Sequence, residues 1–156
     1  MTIRQVDPFM PEVLDLLEQS DQLMTSLYPA ESNHLEQPQD LARDNVILLG
    51  AYDNHDLLGC GAVKIMQDDS LYGEIKRMFV LPDARGKGVA SGIMKFIEDH
   101  LITLNVPAAR LETGIHQHDA INLYRKLGYR EREPFGVYRA DPLSLYMEKI
   151  LPGNRH

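Results

Sequence analysis

The sequence predicts a mixed α/β sheet covered by helices, in a single domain over residues 1–156. Three features predict it. Apolar runs of strand length, separated by turn clusters, follow one another between residues 45 and 81, the pattern of an antiparallel meander. Beyond residue 87, two apolar stripes at helical spacing alternate with short strand-like runs, the pattern of a strand–helix–strand crossover. A chain of 156 residues, 44% hydrophobic and 25% charged, can also build a sizeable core without covalent staples.

Thr2 to Val6 reads as a short strand. Pro8 to about Leu27 reads as one helix or two, because Phe9, Val13, Leu16, Leu17 and Met24 fall mostly at helical spacing. Tyr28 to Asp44 is polar and carries Pro29 and Pro38, so a loop with a short helix near Glu36 to Arg43 is expected. Asn45 to Tyr52 (NVILLGAY) is a buried strand, and Asp53 to Asp56 a turn. Leu57 to Met66 returns as the second arm of a hairpin, where Gly59 and Gly61 suggest a bulge or a close neighbour. After a turn at Gln67 to Ser70, the strand Leu71 to Leu81 ends at Pro82, which cannot donate to a ladder.

Gly88 to Leu101 is a helix whose stripe is Val89, Ile93, Met94, Ile97 and Leu101. Asn105 to Pro107 turns into the strand Ala108 to Thr113. Gln117 to Lys126 is the next helix, with Gly128 at its C-terminal stop. Tyr129 to Glu133 and Leu143 to Ile150 are the last strands, and the central crossover is expected to be right-handed.

Composition excludes several function classes. The net charge of -7 argues against general binding to nucleic acid or anionic membranes. The single cysteine, Cys60, cannot form an intrachain disulfide. The N-terminal MTIRQVDPF lacks the apolar segment of a signal peptide, and no apolar run approaches the roughly 20 residues of a membrane span, so a cytoplasmic location is the default expectation.

The chemistry concentrates in EIKRMFVLPDARGKGVA, Glu74 to Ala90: a strand, a sharp turn, a basic glycine loop and a helix start. A helix N-terminus exposes unpaired N–H groups and partial positive charge, which favours phosphate. Gly86 and Gly88 let backbone approach an anion, while Arg85 and Lys87 add charge. The loop matches neither GxxxxGK[ST] nor GxGxxG. By itself it is equally a basic surface turn.

The context is more specific. Arg85-x-x-Gly88-x-Ala90 after Val80-Leu81-Pro82, followed by LETG (Leu111 to Gly114) and AINLYRKLGY (Ala120 to Tyr129), resembles the GNAT superfamily of acyl-CoA-dependent N-acyltransferases. The resemblance runs from about Val46 to Tyr129. It implies a central, mostly antiparallel sheet splayed at a parallel strand pair, with helices on both faces. It implies acetyl-CoA as acyl donor, no metal, and a primary amine of a small molecule or peptide as acceptor. It also implies that the N–H groups of Gly86, Lys87, Gly88, Val89 and Ala90 hold the coenzyme pyrophosphate, with Arg85 beside them. Met78, Phe79 and Val80 would pair through their backbone with the pantetheine arm, and an N–H near Val80 would polarise the thioester carbonyl. Gln117, where the family often has Asn, would touch the coenzyme.

An amine near pKa 10.4 arrives charged and must lose a proton before attack. Glu74, eleven residues before Arg85, stands where the resemblance implies a catalytic carboxylate; the alternative is an ion pair with a neighbouring lysine or arginine. It alternates onto one strand face with Lys76, Met78 and Val80. Glu112 on the next strand is the other candidate base, or a structural ion pair. Tyr124 stands where the family places a tyrosine on the departing thiolate, and it also lies in an apolar helix stripe. The irregular segments Met24 to His34 and Pro134 to Tyr138 supply the candidate acceptor residues Tyr28, Asn33, His34, Phe135 and Tyr138. His116 and His118 beside Asp119 are weak evidence for a metal without a third placed ligand. Cys60 lies in an apolar strand, where thiols are usually inert. A homodimer is the common case for such domains. The competing functional class is a coenzyme-binding sensor that has lost catalysis.

Overall fold

The computed structural model describes residues 1–33 and 35–153. Along these residues run β1 (Thr2–Gln5), α1 (Pro11–Leu27), α2 (Pro38–Leu41), β2 (Val46–Asp53), β3 (Asp56–Gln67), β4 (Leu71–Val80), α3 (Val89–Thr103), β5 (Ala108–Gly114), α4 (His118–Lys126), β6 (Arg130–Arg132) and β7 (Ser144–Ile150). Single 3₁₀ turns occupy Ala30–Ser32 and Pro82–Ala84. The strands form one sheet in the order β1-β2-β3-β4-β5-β7-β6. Its only parallel pair among the described residues is β4 with β5; every other neighbour is antiparallel. No described helix is long and apolar enough to cross a membrane.

Element ends differ from the sequence expectation where local side chains intervene. The first helix starts at Pro11, not Pro8, because Asp7 accepts the Phe9 N–H at 2.8 Å through its carboxylate and the Met10 N–H at 3.2 Å through its carbonyl, holding a turn. Phe9 therefore leaves the predicted stripe and is 54% exposed.

The two sheet faces carry separate cores. On one, α3 buries its predicted stripe of Val89, Ile93, Met94, Ile97 and Leu101 against Val63, Ile75, Leu111 and Met147. Each such side chain stabilises the fold by roughly 1.5–3 kcal/mol relative to exposure, an upper figure given a compact unfolded state. On the other face, α1 buries Val13, Leu16 and Leu17 against Leu48, Tyr52, Cys60 and Phe79.

A bulge in β4 positions the site. The register between β3 and β4 shifts between Cys60 and Ala62, opposite Arg77, whose φ is +58°. The glycines that signalled irregularity sit here: a Cβ on Gly61 would lie 2.3 Å from Met78 Sδ. The extra residue lets Lys76 and Arg77 both face α1, which resets the alternation. Met78 and Val80 consequently pack toward α3, while Phe79 packs toward α1. The expected shared face of Glu74, Lys76, Met78 and Val80 thus holds only for Glu74 and Lys76. Beyond the bulge the parallel pair parts: β4 meets β5 only from Gly73 to Ile75, opposite Ala109 to Leu111.

Candidate active site

The parted strands leave backbone available. The Leu81 N–H bonds to the Leu58 carbonyl on β3 at 2.9 Å, so by alternation the Val80 N–H and C=O point the other way, into the gap. The gap opens into a cavity of about 610 Å³ between β4, α3 and α4. Met78, Phe79, Val80, Arg85, Gly86, Gly88, Val89, Ala90 and Gln117, expected from sequence to hold a coenzyme, all line it; Lys87 does not.

Gly86 and Gly88 have φ of +77° and +80°, and a Cβ on either would meet nothing within 4 Å. Their left-handed backbone turns the chain sharply into α3, which has no side-chain cap. The N–H groups from Gly86 to Ser91 have no hydrogen-bond acceptor among the described residues. Six donors at the positive end of a 15-residue helix, facing open space, suit a pyrophosphate. Arg85 also reaches this space, where its Nε donates to the Val80 carbonyl at 3.1 Å, leaving the Val80 N–H as the free group of that residue.

A second cavity, of about 90 Å³, lies across the gap, and Met78, Gln117 and Tyr124 line both. Tyr124 comes from the buried face of α4, and its hydroxyl makes no hydrogen bond among the described residues. Burial, and secondarily the charge of Glu112, push its phenol above the ordinary tyrosine range, so it stays protonated. Gln117 Nε2 sits 3.6 Å from Met24 Sδ, drawing the end of α1 to the junction. The Tyr28 hydroxyl accepts the His116 N–H at 3.0 Å, and its ring stacks on His116 at 5.5 Å. Asn33 Nδ2 donates to the Tyr28 carbonyl at 3.3 Å. Both Tyr28 and Asn33 line the small cavity. His34 lies outside the described residues.

The two candidate bases occupy different environments. Glu112 on β5 lines the small cavity and accepts the Ser144 hydroxyl at 2.7 Å. Glu74 is 5% exposed and lines neither cavity. Tyr138, which does line the small cavity, donates its hydroxyl to Glu74 Oε2 at 2.5 Å. Lys76 Nζ donates to Glu74 at 3.2 Å and to the Tyr138 oxygen at 3.0 Å, and pairs with Glu36 at 3.0 Å. The ion-pair alternative for Glu74 is therefore realised, through Lys76. Phe135 stands apart from the other expected acceptor residues. It is buried edge-on to Tyr72 and Tyr138, lines neither cavity, and supports the ring of Tyr138.

Three contributors were not found from sequence. Lys76 could have been, since it shares a strand face with Glu74 two residues on. Arg77 and Ser144 could not, because a bulge and the β5–β7 register decide their placement. No group of three His, Cys, Asp or Glu among the described residues is placed to hold a metal ion. Cys60 is fully buried, and burial pushes its thiol up to about 12, so it is no nucleophile.

The chain matches the model of the acetyltransferase (GNAT) family over residues 11–129. It is 44% identical to the IAA acetyltransferase of Azospirillum brasilense over 97% of this chain and 98% of that one. It is 32% identical to the uncharacterized N-acetyltransferase YsnE of Bacillus subtilis, over 90% of this chain and 93% of that one. Among solved structures, one from Klebsiella pneumoniae assigned as an acyl-CoA N-acyltransferase superposes with a TM-score of 0.78 at 33% identity, covering 96% of this chain and 97% of that one. The PaiA N-acetyltransferase of Thermoplasma acidophilum, solved in complex with coenzyme A, shares the fold at a TM-score of 0.72 and 16% identity, over 96% of this chain and 99% of that one. On the family match and the near full-length relatives, the chain belongs to the acetyltransferase (GNAT) family.

Proposed function

We propose that this acetyltransferase moves an acetyl group from acetyl-CoA to a primary amine of a small molecule or peptide by direct attack. The observation that carries the reading is the meeting of the two cavities at Met78, Gln117 and Tyr124, beside the unpaired edge of β4. The residues present fit the donor: open left-handed glycines, six unpartnered N–H groups and a free strand edge suit a pyrophosphate and an amide-bearing arm.

In this reading the Val80 N–H polarises the thioester carbonyl and stabilises the oxyanion that develops. A carboxylate, Glu112 directly or Glu74 from behind Tyr138, takes the proton from the amine. Tyr124 hydrogen-bonds the departing sulfur. Its raised pKa makes complete transfer to a thiolate of ordinary pKa near 8.5 uphill, so its contribution is a hydrogen bond rather than a delivered proton. Tyr124→Phe should accordingly lower kcat by only about tenfold, the worth of one hydrogen bond of about 1.4 kcal/mol, with the KM for acetyl-CoA little changed.

Thiol release from acetyl-CoA across a panel of amines tests the reading. Ethylenediamine, 2-phenylethylamine, glycine and a tetrapeptide with a free N-terminus span the acceptor classes, and IAA joins them because of the name of the Azospirillum relative. Turnover with at least one amine is expected. Tight coenzyme binding with no turnover on any acceptor would favour the sensor class instead.

A further inference from the structure

We propose that Tyr138 carries the proton from the acceptor amine to Glu74, so that a carboxylate outside the acceptor cavity acts through a phenol that forms its wall. The inference rests on the transfer reading above and deepens it.

Glu74 is buried and lines neither cavity, so the wall that an amine in the small one meets is Tyr138 rather than Glu74. Tyr138 lines that cavity and its hydroxyl is bonded to Glu74 Oε2 at 2.5 Å. Such a short hydrogen bond to a carboxylate belongs to the strong, charge-assisted class. Lys76 fixes the pair by touching both oxygens and continues to Glu36, whose side chain is 21% exposed. The chain of contacts therefore runs from the cavity wall to a group that water reaches. Phe135 and Tyr146 hold the Tyr138 ring in place.

The step balances as follows. The acceptor ammonium gives one N–H proton to Tyr138 Oη while the phenolic proton passes to Glu74 Oε2. The nitrogen keeps the electron pair of the broken N–H bond and uses it to attack the thioester carbon; as the tetrahedral intermediate collapses, sulfur leaves with the C–S pair and takes up the second N–H proton, giving the neutral amide and the free thiol of coenzyme A. Tyr138 ends neutral, as its burial beside Glu74 requires, since both hold the phenol well above the ordinary tyrosine range. Among the described residues, the charged and titratable groups around Glu74 and Tyr138 are Lys76 on the same strand as Glu74, Tyr72, Glu36 through Lys76, Lys64 opposite Glu74 on β3, Arg110 opposite it on β5, and Glu112, whose charge also acts on Tyr138.

The test compares wild type with Tyr138→Phe, Glu74→Gln, the double variant and Glu112→Gln, using acetyl-CoA and the panel amine acetylated fastest. Tyr138→Phe keeps the ring packing and removes only the hydroxyl. Each of the first two variants should lose about 10²-fold in kcat/KM, at the lower end of general-base effects, with the KM for acetyl-CoA unchanged. The double variant should lose no more than either alone, as members of one unit do. The acid limb of the kcat/KM pH profile should vanish in both single variants and persist in Glu112→Gln. Full rate in Tyr138→Phe or Glu74→Gln, additive losses, or an acid limb lost only in Glu112→Gln overturns the relay while leaving acetyl transfer standing. A wild type inert toward the whole panel overturns the transfer reading, and the relay with it.

Discussion

Arg77 shows how one residue shapes the site through its backbone while its side chain is turned to α1. Its φ of +58° is costly for a residue with a Cβ, on the order of 1 kcal/mol, and its side chain is 2% exposed. What holds it there is α1: Nη1 meets Asp21 at 2.6 Å and Nη2 donates to the Leu17 carbonyl at 3.1 Å. Removing one partner of a fully buried pair typically costs about 3–5 kcal/mol. Asp21 is 40% exposed, so water replaces part of it and Asp21→Ala should cost less, about 1–3 kcal/mol. Urea unfolding measures this, and an unchanged midpoint would show that the Leu17 carbonyl alone secures the guanidinium. Cys60 provides a second check at this scale. Its thiol is raised from 9.0 to about 12, so the native state keeps a proton that the unfolded state loses above pH 9. The sign follows from linkage: this contribution is fully present below pH 9 and is lost as pH rises toward about 12. Native protein at pH 8 should not react with a disulfide reagent such as dithiobis-nitrobenzoate, whereas unfolded protein should react fully. The raised Tyr124 phenol acts with the same sign: its contribution is present below the ordinary tyrosine pKa and is lost as pH rises above it.

At the scale of elements, α3 and its glycine loop join fold to function. The five apolar positions of α3 bury against the sheet, which fixes where its N-terminus points. Gly88, at φ +80°, then sets the sharp entry that leaves the first N–H groups open. Gly88→Ala should cost about 1 kcal/mol in stability, because only glycine takes this conformation without strain. It should also weaken acetyl-CoA binding severalfold in calorimetric titration; unchanged affinity would place the pyrophosphate elsewhere.

These elements also mark what was legible in the sequence. The α3 stripe, the hairpin arms and the stop at Pro82 were legible because each is a local periodicity or a local steric rule. The Gly59–Gly61 irregularity was legible as an event but not as a change of side-chain parity. The faces of Met78 and Val80 depend on the bulge at Arg77, which is stabilised by a helix some 56 residues away. The orientation of Phe135 has the same kind of cause. A loop aromatic points into the cavity or under it according to distant partners, here Tyr72 and Tyr146. The candidate bases were legible as residues. Their separation by Tyr138 depends on a 64-residue contact that no spacing rule reveals.

For the whole molecule, the sheet works as a partition. Helices on its two faces build separate cores, and β4 and β5 part where those cores leave a seam. In the transfer proposed above, the donor would take the α3 side and the acceptor the cavity near α1 and the segment before β7, so the two would reach the thioester without sharing a path. The central claim is that the seam binds acetyl-CoA through the loop before α3. Ligand that binds only the native state at 100 times its Kd stabilises by about 2.7 kcal/mol, which for about 150 residues raises Tm by roughly 5–10 °C. Thermal unfolding with and without saturating acetyl-CoA, with ATP as the phosphate-bearing control, measures this directly. The account predicts a rise of that size with acetyl-CoA and little or none with ATP. A rise with ATP and none with acetyl-CoA would contradict it.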